Sequence, residues 1–481
     1  MKLFRLFAVI TLLFGAAQGA WSQTTDETLT GRTLYKDGKW NTLCVPFSLT
    51  EDQITSSLNG ATIKELNGGA SQLSGYELEL YFKDASTIEA GKPYIVKWPK
   101  YFLIESAADW DKFTVDASVY DVVVLATDIT VGNGDIVGTS EKPFTGTFDG
   151  AGHTITCNID LTAAGAAPFQ YIKDAHIKNV KMTGTVNGVN HCAGLVGFAD
   201  GTNVIQNCDV TAIVTCTGTH CGGILGHGQL SSTAINNCLF SGSISGATGC
   251  TGIFYGWASS GATQTVNYCL ANGTSYSGGS VDLIQGESTT KNCVNCFKNE
   301  AVGTLGTLTS TAGAIDELVT ALGSGWQKVD GKAVPKLTTI ESTTVVNPTF
   351  TGVTIDNTKR DVSFTGGCYF RGTSTEGVIF NAPDNDKMLL LTGNNTLRYP
   401  AAGLTLGKYR AYFELPTAGA ARSVTLDFGE GGETTSITLV RGEESQLHGA
   451  ADYYDLSGRK LLSKPNRKGL YIVNGKKVII K

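Results

Sequence analysis

The residues from His191 to Val210 read HCAGLVGFADGTNVIQNCDV, and those from His220 to Phe240 read HCGGILGHGQLSSTAINNCLF. Each stretch begins with His-Cys and two small residues, continues with two aliphatic residues and Gly, and closes with Asn-Cys. The cysteines that open the repeat, Cys192, Cys221 and Cys250, are spaced 29 residues apart. Self-similarity at such a period indicates a stacked array, because a single repeat of this size cannot bury its own apolar face.

A second series of cysteines follows Asn or Tyr. Within one repeat, apolar and polar residues alternate: Ile205, Asn207 and Asp209 are expected on one side, and Cys208 and Val210 on the other. Period-two alternation with Gly and Asn between the segments is typical of strands and turns, not of helices. The repeat therefore predicts a right-handed parallel β-helix. The second series is Asn207-Cys208, Asn237-Cys238, Tyr268-Cys269 and Asn292-Cys293.

Stacking of coils explains why the same residue types recur. Equivalent positions on successive coils lie about 4.8 Å apart, so like residues form ladders. Alternation places Cys192 and Cys221 inside and His191 and His220 outside. We expect the three evenly spaced cysteines to remain free thiols, because side-chain directions in parallel stacks are poor for bridging. We expect no zinc site, because His and Cys point to opposite faces.

Composition restricts the class of protein. The chain has 481 residues, which predicts two to four domains. Only 17% of residues are charged and 59 are Gly, a mixture that favours short strands and turns over long helices. The formal net charge is −6, and the sequence contains no cationic cluster outside its C-terminal tail. Nucleic acid is therefore not an expected partner, because binding it requires a basic face.

The N-terminus indicates export. Residues 1–22 begin with Lys2 and Arg5, continue with an apolar run and end in small residues, which is the pattern of a secretory signal peptide. No other segment approaches the ~18 apolar residues that a membrane-spanning helix requires. We therefore expect a mature protein without a membrane span, secreted or held at the outer surface of a Gram-negative bacterium.

Motifs around the repeat resemble a known class of bacterial proteins. PFTGTFDGAGHTI, from Pro143 to Ile155, with AGLVG and GGILG in the repeats, resembles surface β-helix proteins that carry GLUG-type repeats. ELVTALGSGWQKVDGKAVPKL, from Glu317 to Leu337, is similar to the helix and Trp-bearing strand that end such arrays. The resemblance implies a β-helix domain over residues 105–338, with a terminal unit that covers the open lumen.

The flanks resemble the two halves of another module. WNTLCVPFSLTEDQI from Trp40 and AGKPYIVKWP from Ala90 are similar to the first half of a β-sandwich common in secreted Bacteroidota proteins. The second half follows the array, as VVNPTFTGVTI, DVSFTGGCYF, KMLLLTGNNTLRYP and GKYRAYFELP. We therefore expect a discontinuous sandwich, residues 26–104 and 339–440, into which the β-helix is inserted; the alternative is two unrelated β domains. Cys44 and Cys368 fall in opposite halves and are expected to be free and buried.

The last 41 residues, 441–481, are expected to form a small β module. From Tyr453 they read YYDLSGRKLLSKPNRKGLYIVNGKKVIIK, which resembles the C-terminal sorting modules of secreted Bacteroidota proteins. That resemblance implies type IX secretion, with the secretion and sorting machinery as a partner of residues 453–481. The alternative is a terminal hairpin whose cationic strand blocks aggregation.

Two functions remain for an exported β-helix. Polysaccharide lyases and glycosidases need clustered carboxylates, but the acids of the array recur at no single register, and no GxSxG, HExxH or P-loop motif occurs. We therefore expect a non-catalytic protein without cofactor or metal that mediates adhesion or binds a glycan or protein ligand of the host or a neighbouring cell. A carbohydrate-active enzyme is the alternative. The aromatic residues proposed to stack on sugars, or alternatively to pack beneath loops, are Tyr255, Trp257, Tyr268 and Tyr276.

Overall fold

A computed structural model describes residues 24–287, 290–338, 343–393 and 395–430, and the backbone of five later strands. The predicted signal peptide, residues 1–22, lies outside the described residues. The fold is all-β, with a parallel β-solenoid of about six turns and separate antiparallel sheets. The helices are α1 Glu51–Ser57, α2 Ala107–Val115 and α3 Ile315–Leu322, with 3-10 turns at Ala117–Val119, Thr309–Thr311 and Asp384–Lys387.

Strands on both sides of the repeat region form the antiparallel part. The first seven are β1 Thr25–Thr28, β2 Leu34–Tyr35, β3 Asn41–Leu43, β4 Thr62–Leu66, β5 Gln72–Ser74, β6 Glu77–Asp84 and β7 Tyr94–Lys97.

The solenoid is one sheet of twenty-one strands. They are β8 Tyr101–Ile104, β9 Val122–Leu125, β10 Ile129–Val131, β11 Thr147–Asp149, β12 Thr154–Asp160, β13 Phe169–Lys173, β14 His176–Lys178, β15 Lys181–Gly188, β16 Val196–Gln206, β17 Asp209–Val210, β18 Ile213–Cys216, β19 His220–Gly222, β20 Leu225–Asn236, β21 Leu239–Phe240, β22 Ser243–Ala258, β23 Thr263–Asn267, β24 Leu270–Ala271, β25 Ser275–Ile284, β26 Thr290–Val294, β27 Phe297–Lys298 and β28 Thr307–Leu308.

The remaining strands follow the solenoid. They are β29 Trp326–Val329, β30 Lys332–Pro335, β31 Val345–Val346, β32 Thr349–Val353, β33 Val362–Phe364, β34 Cys368–Gly372, β35 Val378–Phe380, β36 Met388–Leu391, β37 Leu397–Arg398, β38 Leu404–Leu406, β39 Ala411–Glu414, β40 Ser423–Asp427, β41 Thr435–Thr438, β42 Tyr453–Tyr454, β43 Lys460–Leu461, β44 Gly469–Val473 and β45 Lys476–Ile480.

Strands from before and after the solenoid pair with one another. A seven-stranded sheet has the order β3-β7-β4-β6-β40-β41, with β5 also on β6, and a five-stranded sheet has the order β33-β34-β39-β36-β37. β40 lies parallel to β6, with Val424 opposite Leu78. Their side chains share one hydrophobic core, in which Phe82 contacts Phe370 edge to face. The solenoid sheet begins at β8, which lies inside the range that the sequence assigned to the sandwich.

Helix α2 plugs the first coils of the solenoid. The hydroxyl of Ser106 accepts a hydrogen bond from the Asp109 N–H and caps the helix. Trp110 and Phe113 are buried in the core of the solenoid, and Trp110 Nε1 donates to the carbonyl oxygen of Asp135 at 2.6 Å. The Trp110 ring meets Phe148 edge to face, so the helix supplies the aromatic surface that covers this end.

The segment that was predicted to cover the other end lies along the side of the solenoid. Helix α3 and the β29–β30 hairpin pack on Leu239, Leu270 and Phe297, which come from successive coils. Trp326 Nε1 donates to the carbonyl oxygen of Tyr268 at 2.7 Å. The prediction of a lumen cover is therefore wrong, because the apolar surface that this segment buries is a lateral ladder and not the open end of the core.

Corner residues change the alternation that the sequence indicated. Asn207, Asn237 and Tyr268 have φ between 51° and 56°, the left-handed region. A residue in this conformation turns the chain, so the residues on both sides of it can point inward. Ile205 and Cys208 are both fully buried. The prediction that Ile205 faces away from Cys208 is therefore wrong, whereas Asn207 forms a turn and donates to Asn179 Oδ1 at 3.5 Å, as expected of an Asn ladder.

Coil length varies, and this shifts the first cysteine ladder. Cys192 pairs with Cys221, as predicted, but Cys221 pairs with Thr251, and Cys250 lies opposite His220. Cys221 is also bonded to Cys216, so the expectation of free thiols is wrong for Cys221. The bond joins two residues on either side of one corner and does not run along the ladder. Cys192 and Cys250 are free and buried.

The last coil corrects the second cysteine series. Val266 of β23 pairs with Cys293 of β26, and Leu270 pairs with Phe297. Cys296, and not Cys293, therefore lies in register with Cys269. Elsewhere, Cys44 and Cys368 are free and buried, as predicted. In the C-terminal tail, β43-β42-β44-β45 form an antiparallel sheet, while the other residues of 441–481 lie outside the described part of the chain.

Candidate functional site

Six rings contact one another in a continuous row outside the core of the solenoid; most pairs are stacked, and Phe198 is tilted against the histidines by 56° to 58°. Phe198 of β16 pairs with His227 of β20, which pairs with Trp257 of β22, and Tyr171 of β13 pairs with Phe198. Parallel in-register strands place these side chains one above another. We call this set the ring stack; its members are Tyr171, Phe198, His191, His227, His220 and Trp257.

The two corner histidines fill the spaces between the rungs. The centroid of the His191 ring lies 4.3 Å from that of His227 and 5.5 Å from that of Phe198. His220 lies 5.2 Å from His191 and 4.1 Å from Trp257, with planes within 26° of parallel. As predicted, both corner histidines lie outside the core that contains Cys192 and Cys221, although each is half-buried by neighbouring rings.

Packing keeps the histidines uncharged. Burial lowers the pKa of His191 to about 3 and that of His227 to about 4, and the neighbouring imidazoles act in the same direction. Burial also lowers the pKa of His220. His227 Nε2 is hydrogen-bonded to Ser259 Oγ at 3.0 Å, while the Nδ1 atoms of His191 and His227 are buried without a partner among the described residues. At neutral pH the stack is therefore an aromatic surface and not a cationic one.

A cleft of about 220 Å³ adjoins one end of the ring stack. The half-buried Tyr171 forms its aromatic surface and packs against Phe198, which is buried and whose ring centroid lies 4.6 Å away. Lys173 and Asp200 face the same cleft, with Lys173 Nζ 3.3 Å from Asp200 Oδ2. An aromatic wall with a few polar groups is typical of sites that bind small polar ligands. The lining is completed by Ser140, Glu141, Pro143, Ile172, Ala199 and Gln229.

The four aromatic residues that the sequence suggested for sugar binding lie in different environments in the structure. Trp257 belongs to the ring stack and is half-buried. Tyr255 is 0% exposed and its hydroxyl is hydrogen-bonded to Ser231, so its ring cannot present a face to a sugar. Tyr276 is buried, and its hydroxyl accepts the Gly273 N–H. Tyr268 is 38% exposed at a corner beside Trp326, away from the ring stack.

The sequence nevertheless contains a signal for the ring stack. In the segments GLVGF, GILGH and FYGW the residue after the last Gly always carries a ring side chain: Phe198, His227 and Trp257. Alternation places this residue outside when the preceding aliphatic residues face the core. The position of His191 and His220 between these rungs depends on the corner conformation, such as the φ of 57° at His191, which the letters do not reveal.

The ring stack is not a metal centre. Ligands of one ion must each direct a nitrogen toward it within the plane of the ring, whereas the stacked imidazoles lie in parallel planes. Among the described residues, no group of three or more His, Cys, Asp or Glu side chains is placed to hold a metal ion.

Comparison with other proteins adds no assignment. No helix in the described part of the chain has the length and apolar character needed to cross a membrane. Comparisons with protein-family models, with curated proteins and with solved structures find no match for this chain.

Proposed function

We propose that this protein is a non-catalytic, exported surface protein that binds glycans through the outer face of its solenoid. The single observation that carries the proposal is the cleft next to the ring stack, where Tyr171 and Phe198 lie beside the Lys173–Asp200 pair. Sugars present apolar C–H faces and a ring of hydroxyls, so they are bound by aromatic surface together with polar groups that fix orientation.

The polar groups of the cleft match hydroxyl recognition. Lys173 offers an ammonium donor and Asp200 a carboxylate acceptor, and both side chains are more than 40% exposed. Gln229 is exposed and adds an amide with both donor and acceptor atoms. A ligand hydroxyl can therefore both accept and donate a hydrogen bond at this site without displacing a core residue.

Binding and turnover are tested together. The mature protein is applied to a glycan array, and release of reducing sugar from each bound glycan is measured in parallel. We expect binding without release. Lys173→Ala and Gln229→Ala change only surface side chains and are expected to weaken binding at least tenfold, whereas Tyr76→Ala, which removes an exposed ring of the sandwich, leaves it unchanged. If Lys173→Ala and Gln229→Ala bound as tightly as the wild type, the ligand would bind outside this cleft.

A carbohydrate-active enzyme is the second candidate, and one observation favours it. A second cleft, of about 200 Å³, is lined by Asp121, Asp174 and His176, which includes a pair of carboxylates. However, Asp121 Oδ2 accepts the Lys100 N–H at 2.6 Å, and Asp174 Oδ1 accepts the Thr202 N–H at 2.7 Å. These bonds hold the chain, which favours a structural role. Reducing-sugar release that is abolished by Asp174→Asn would establish the enzyme instead.

The location at the cell surface is part of the same proposal. It rests on the N-terminal pattern of residues 1–22 and on the tail that contains β42 to β45. Expression in a Gram-negative host with a type IX system, followed by fractionation, tests it. We expect the full chain at the cell surface and a variant that ends at residue 440 in the periplasm. Retention of the full chain in the cytoplasm would contradict the proposal.

A further inference from the structure

A ladder of cysteines runs through the corners of the last four coils. Each member follows a residue with positive φ and is buried: Cys208, Cys238, Cys269 and Cys296. Successive members are in contact; for example, the backbone N–H of Cys238 donates to Cys269 Sγ at 3.4 Å. Inside the solenoid such cysteines pack as small apolar residues.

The final coil differs from the others at one position. Three residues before each ladder cysteine, on the same corner, the earlier coils have Ile205, Ile235 and Val266, which are paired in register and fully buried. In the last coil the residue that pairs with Val266 is Cys293. A second thiol therefore replaces an aliphatic side chain directly beside Cys296, and the two form a Cys-x-x-Cys sequence, CVNC.

Cys293 and Cys296 are in contact, and one of them is accessible. The two thiols lie on either side of the Asn295 corner, close enough for each to shift the pKa of the other. Cys296 is 2% exposed and Cys293 is only partly buried, whereas Cys208, Cys238 and Cys269 are fully buried. An external reagent can therefore reach this pair through Cys293 but cannot reach the interior ladder.

The surroundings favour a thiolate in this pair. Hydrogen bonds from Cys269 and Cys293 lower the pKa of Cys296 to about 4. The interaction with Cys296, together with burial, raises the pKa of the Cys293 thiol, so the negative charge of the pair lies on Cys296 and Cys293 keeps its proton. Thiolates and not thiols carry out exchange, and a neighbouring cation or a Cys-x-x-Cys partner promotes them.

The same solenoid already contains a disulfide at a corner. Cys216 and Cys221 flank the corner between β18 and β19, with Cα atoms 5.8 Å apart. A corner brings the chain on both of its sides together, so bridging there needs no pairing along the ladder. Cys293 and Cys296 likewise lie on the two sides of a corner, the one at Asn295 between β26 and β27.

We propose that Cys293 and Cys296 form a redox-active dithiol that exchanges with low-molecular-weight disulfides such as oxidised glutathione and closes the last coil with a disulfide bond. The Cys293 sulfur attacks one sulfur of the external disulfide while its proton passes to the Cys296 thiolate, and the first glutathione thiolate leaves. The Cys296 sulfur then attacks Cys293, and the second thiolate leaves. The one proton of the pair goes to one released thiolate and solvent protonates the other, so two cysteines are oxidised by two electrons and one disulfide is reduced to two thiols.

The test uses the full chain and mass spectrometry. The protein is incubated with oxidised glutathione, exposed to N-ethylmaleimide under native conditions, and digested with trypsin, which can cut after Lys291 and Lys298. We expect the peptide of residues 292–298 to be lighter by two hydrogens and to carry no maleimide, and to gain two maleimide groups when the peptide is reduced and alkylated after digestion. Peptides that contain Cys157, a buried lone thiol, are the control and remain reduced.

Two variants separate exchange from simple exposure. Cys296→Ala removes the resolving thiol, so Cys293 is expected to retain a glutathione adduct that the wild type resolves. Cys293→Val restores the aliphatic residue of the preceding coil and is expected to fold normally and to take up neither glutathione nor maleimide at Cys296. The proposal is overturned if wild-type residues 292–298 carry a maleimide group on Cys293 after the oxidation step, if they keep a glutathione adduct, or if Cys296 bridges to Cys269.

Discussion

The imidazole of His220 lies on the indole of Trp257, with ring centroids 4.1 Å apart and planes 19° from parallel. His220 belongs to the short corner between Cys216 and Cys221, which a disulfide closes. The disulfide therefore restrains the residue that connects Trp257 to the other imidazoles of the ring stack. Covalent and aromatic restraints act here on one corner of the solenoid.

Removal of the corner disulfide should destabilise the protein. Replacing both Cys216 and Cys221 by Ala avoids a stray thiol and releases the closed loop. For a loop of this size the chain-entropy effect predicts a free energy of unfolding lower by about 2 kcal/mol. Urea denaturation monitored by Trp fluorescence measures it. Addition of a reductant should shift the wild type toward the variant and leave the variant itself unchanged; equal midpoints of wild type and variant without reductant would contradict the role of this bond.

Acid should weaken the fold through the ring stack. The folded-state pKa values of His191 and His227, about 3 and about 4, lie below the ordinary 6.5, so the unfolded chain binds protons that the native state does not. The free energy of unfolding should fall as pH drops below about 6.5 and continue to fall down to the folded-state values. We expect a loss on the order of 2 kcal/mol, discounted because both rings are partly exposed.

The matched variant for this pH effect carries Phe in place of His191 and His227, as Phe198 already does on the neighbouring rung. Chemical denaturation across the acid range should show a shallower pH dependence for this double variant than for the wild type. Parallel pH profiles of the two proteins would refute the assignment to these histidines.

One half-buried carboxylate, Asp209, should be a source of instability at neutral pH. Burial raises the pKa of Asp209, and its Oδ1 has no hydrogen-bond partner among the described residues. The favourable effect of the protonated form is present below the ordinary pKa of 3.8 and is lost as pH rises through the folded-state value. Asp209→Asn should therefore raise the free energy of unfolding at pH 7 by on the order of 1 kcal/mol.

Thermal unfolding at neutral and at acid pH checks the Asp209 effect. The gain from Asp209→Asn should disappear below about pH 3.5, where the native carboxyl is protonated. Asp160→Asn alters an exposed acid of the same solenoid and serves as the control, with no change expected. A gain that persists in acid would point to a cause other than the charge.

Close approach of neighbouring coils requires Gly226. A Cβ at this position would lie 1.9 Å from the carbonyl oxygen of His191, so Gly226→Ala must push two coils apart beside the ring stack. We expect a loss of roughly 3 kcal/mol in the free energy of unfolding. Gly134→Ala, where nothing lies within 4 Å of the added atom, is the control and should unfold like the wild type. Similar melting temperatures for both variants would show that the coils can yield at Gly226.

Register explains most differences between the sequence prediction and the structure. A constant interval of 29 residues suggested one ladder of Cys192, Cys221 and Cys250, yet Cys221 pairs with Thr251. For the same reason, the sequence predicted Cys293 in the second ladder, whereas the structure places Cys296 there. Coils differ in length by a few residues at their corners. The number of residues between two cysteines includes these corner residues, whereas the strand register set by backbone hydrogen bonds does not depend on them.

The candidate site was also only partly predictable from the sequence. Trp257 could be singled out from its residue type, but Tyr255, two positions earlier, is inside the core with its hydroxyl on Ser231. The sequence did not identify Tyr171 and His227 as candidate binding residues, because a single aromatic residue on a single strand does not indicate a binding surface. These residues form one surface only because the parallel coils bring together side chains that are 27 to 30 residues apart in the chain.

Residue chemistry along the chain was sufficient to specify the all-β class, the stacked coils, and the burial of Cys192, Cys44 and Cys368, because period-two apolar patterns and turn-forming Gly and Asn act locally. Packing in three dimensions was needed to set the Cys216–Cys221 bond, the lateral position of α3, and the ring stack. These features depend on which coil lies against which, and that pairing follows from the sum of backbone hydrogen bonds and buried apolar contacts over the whole solenoid rather than from any one stretch of letters.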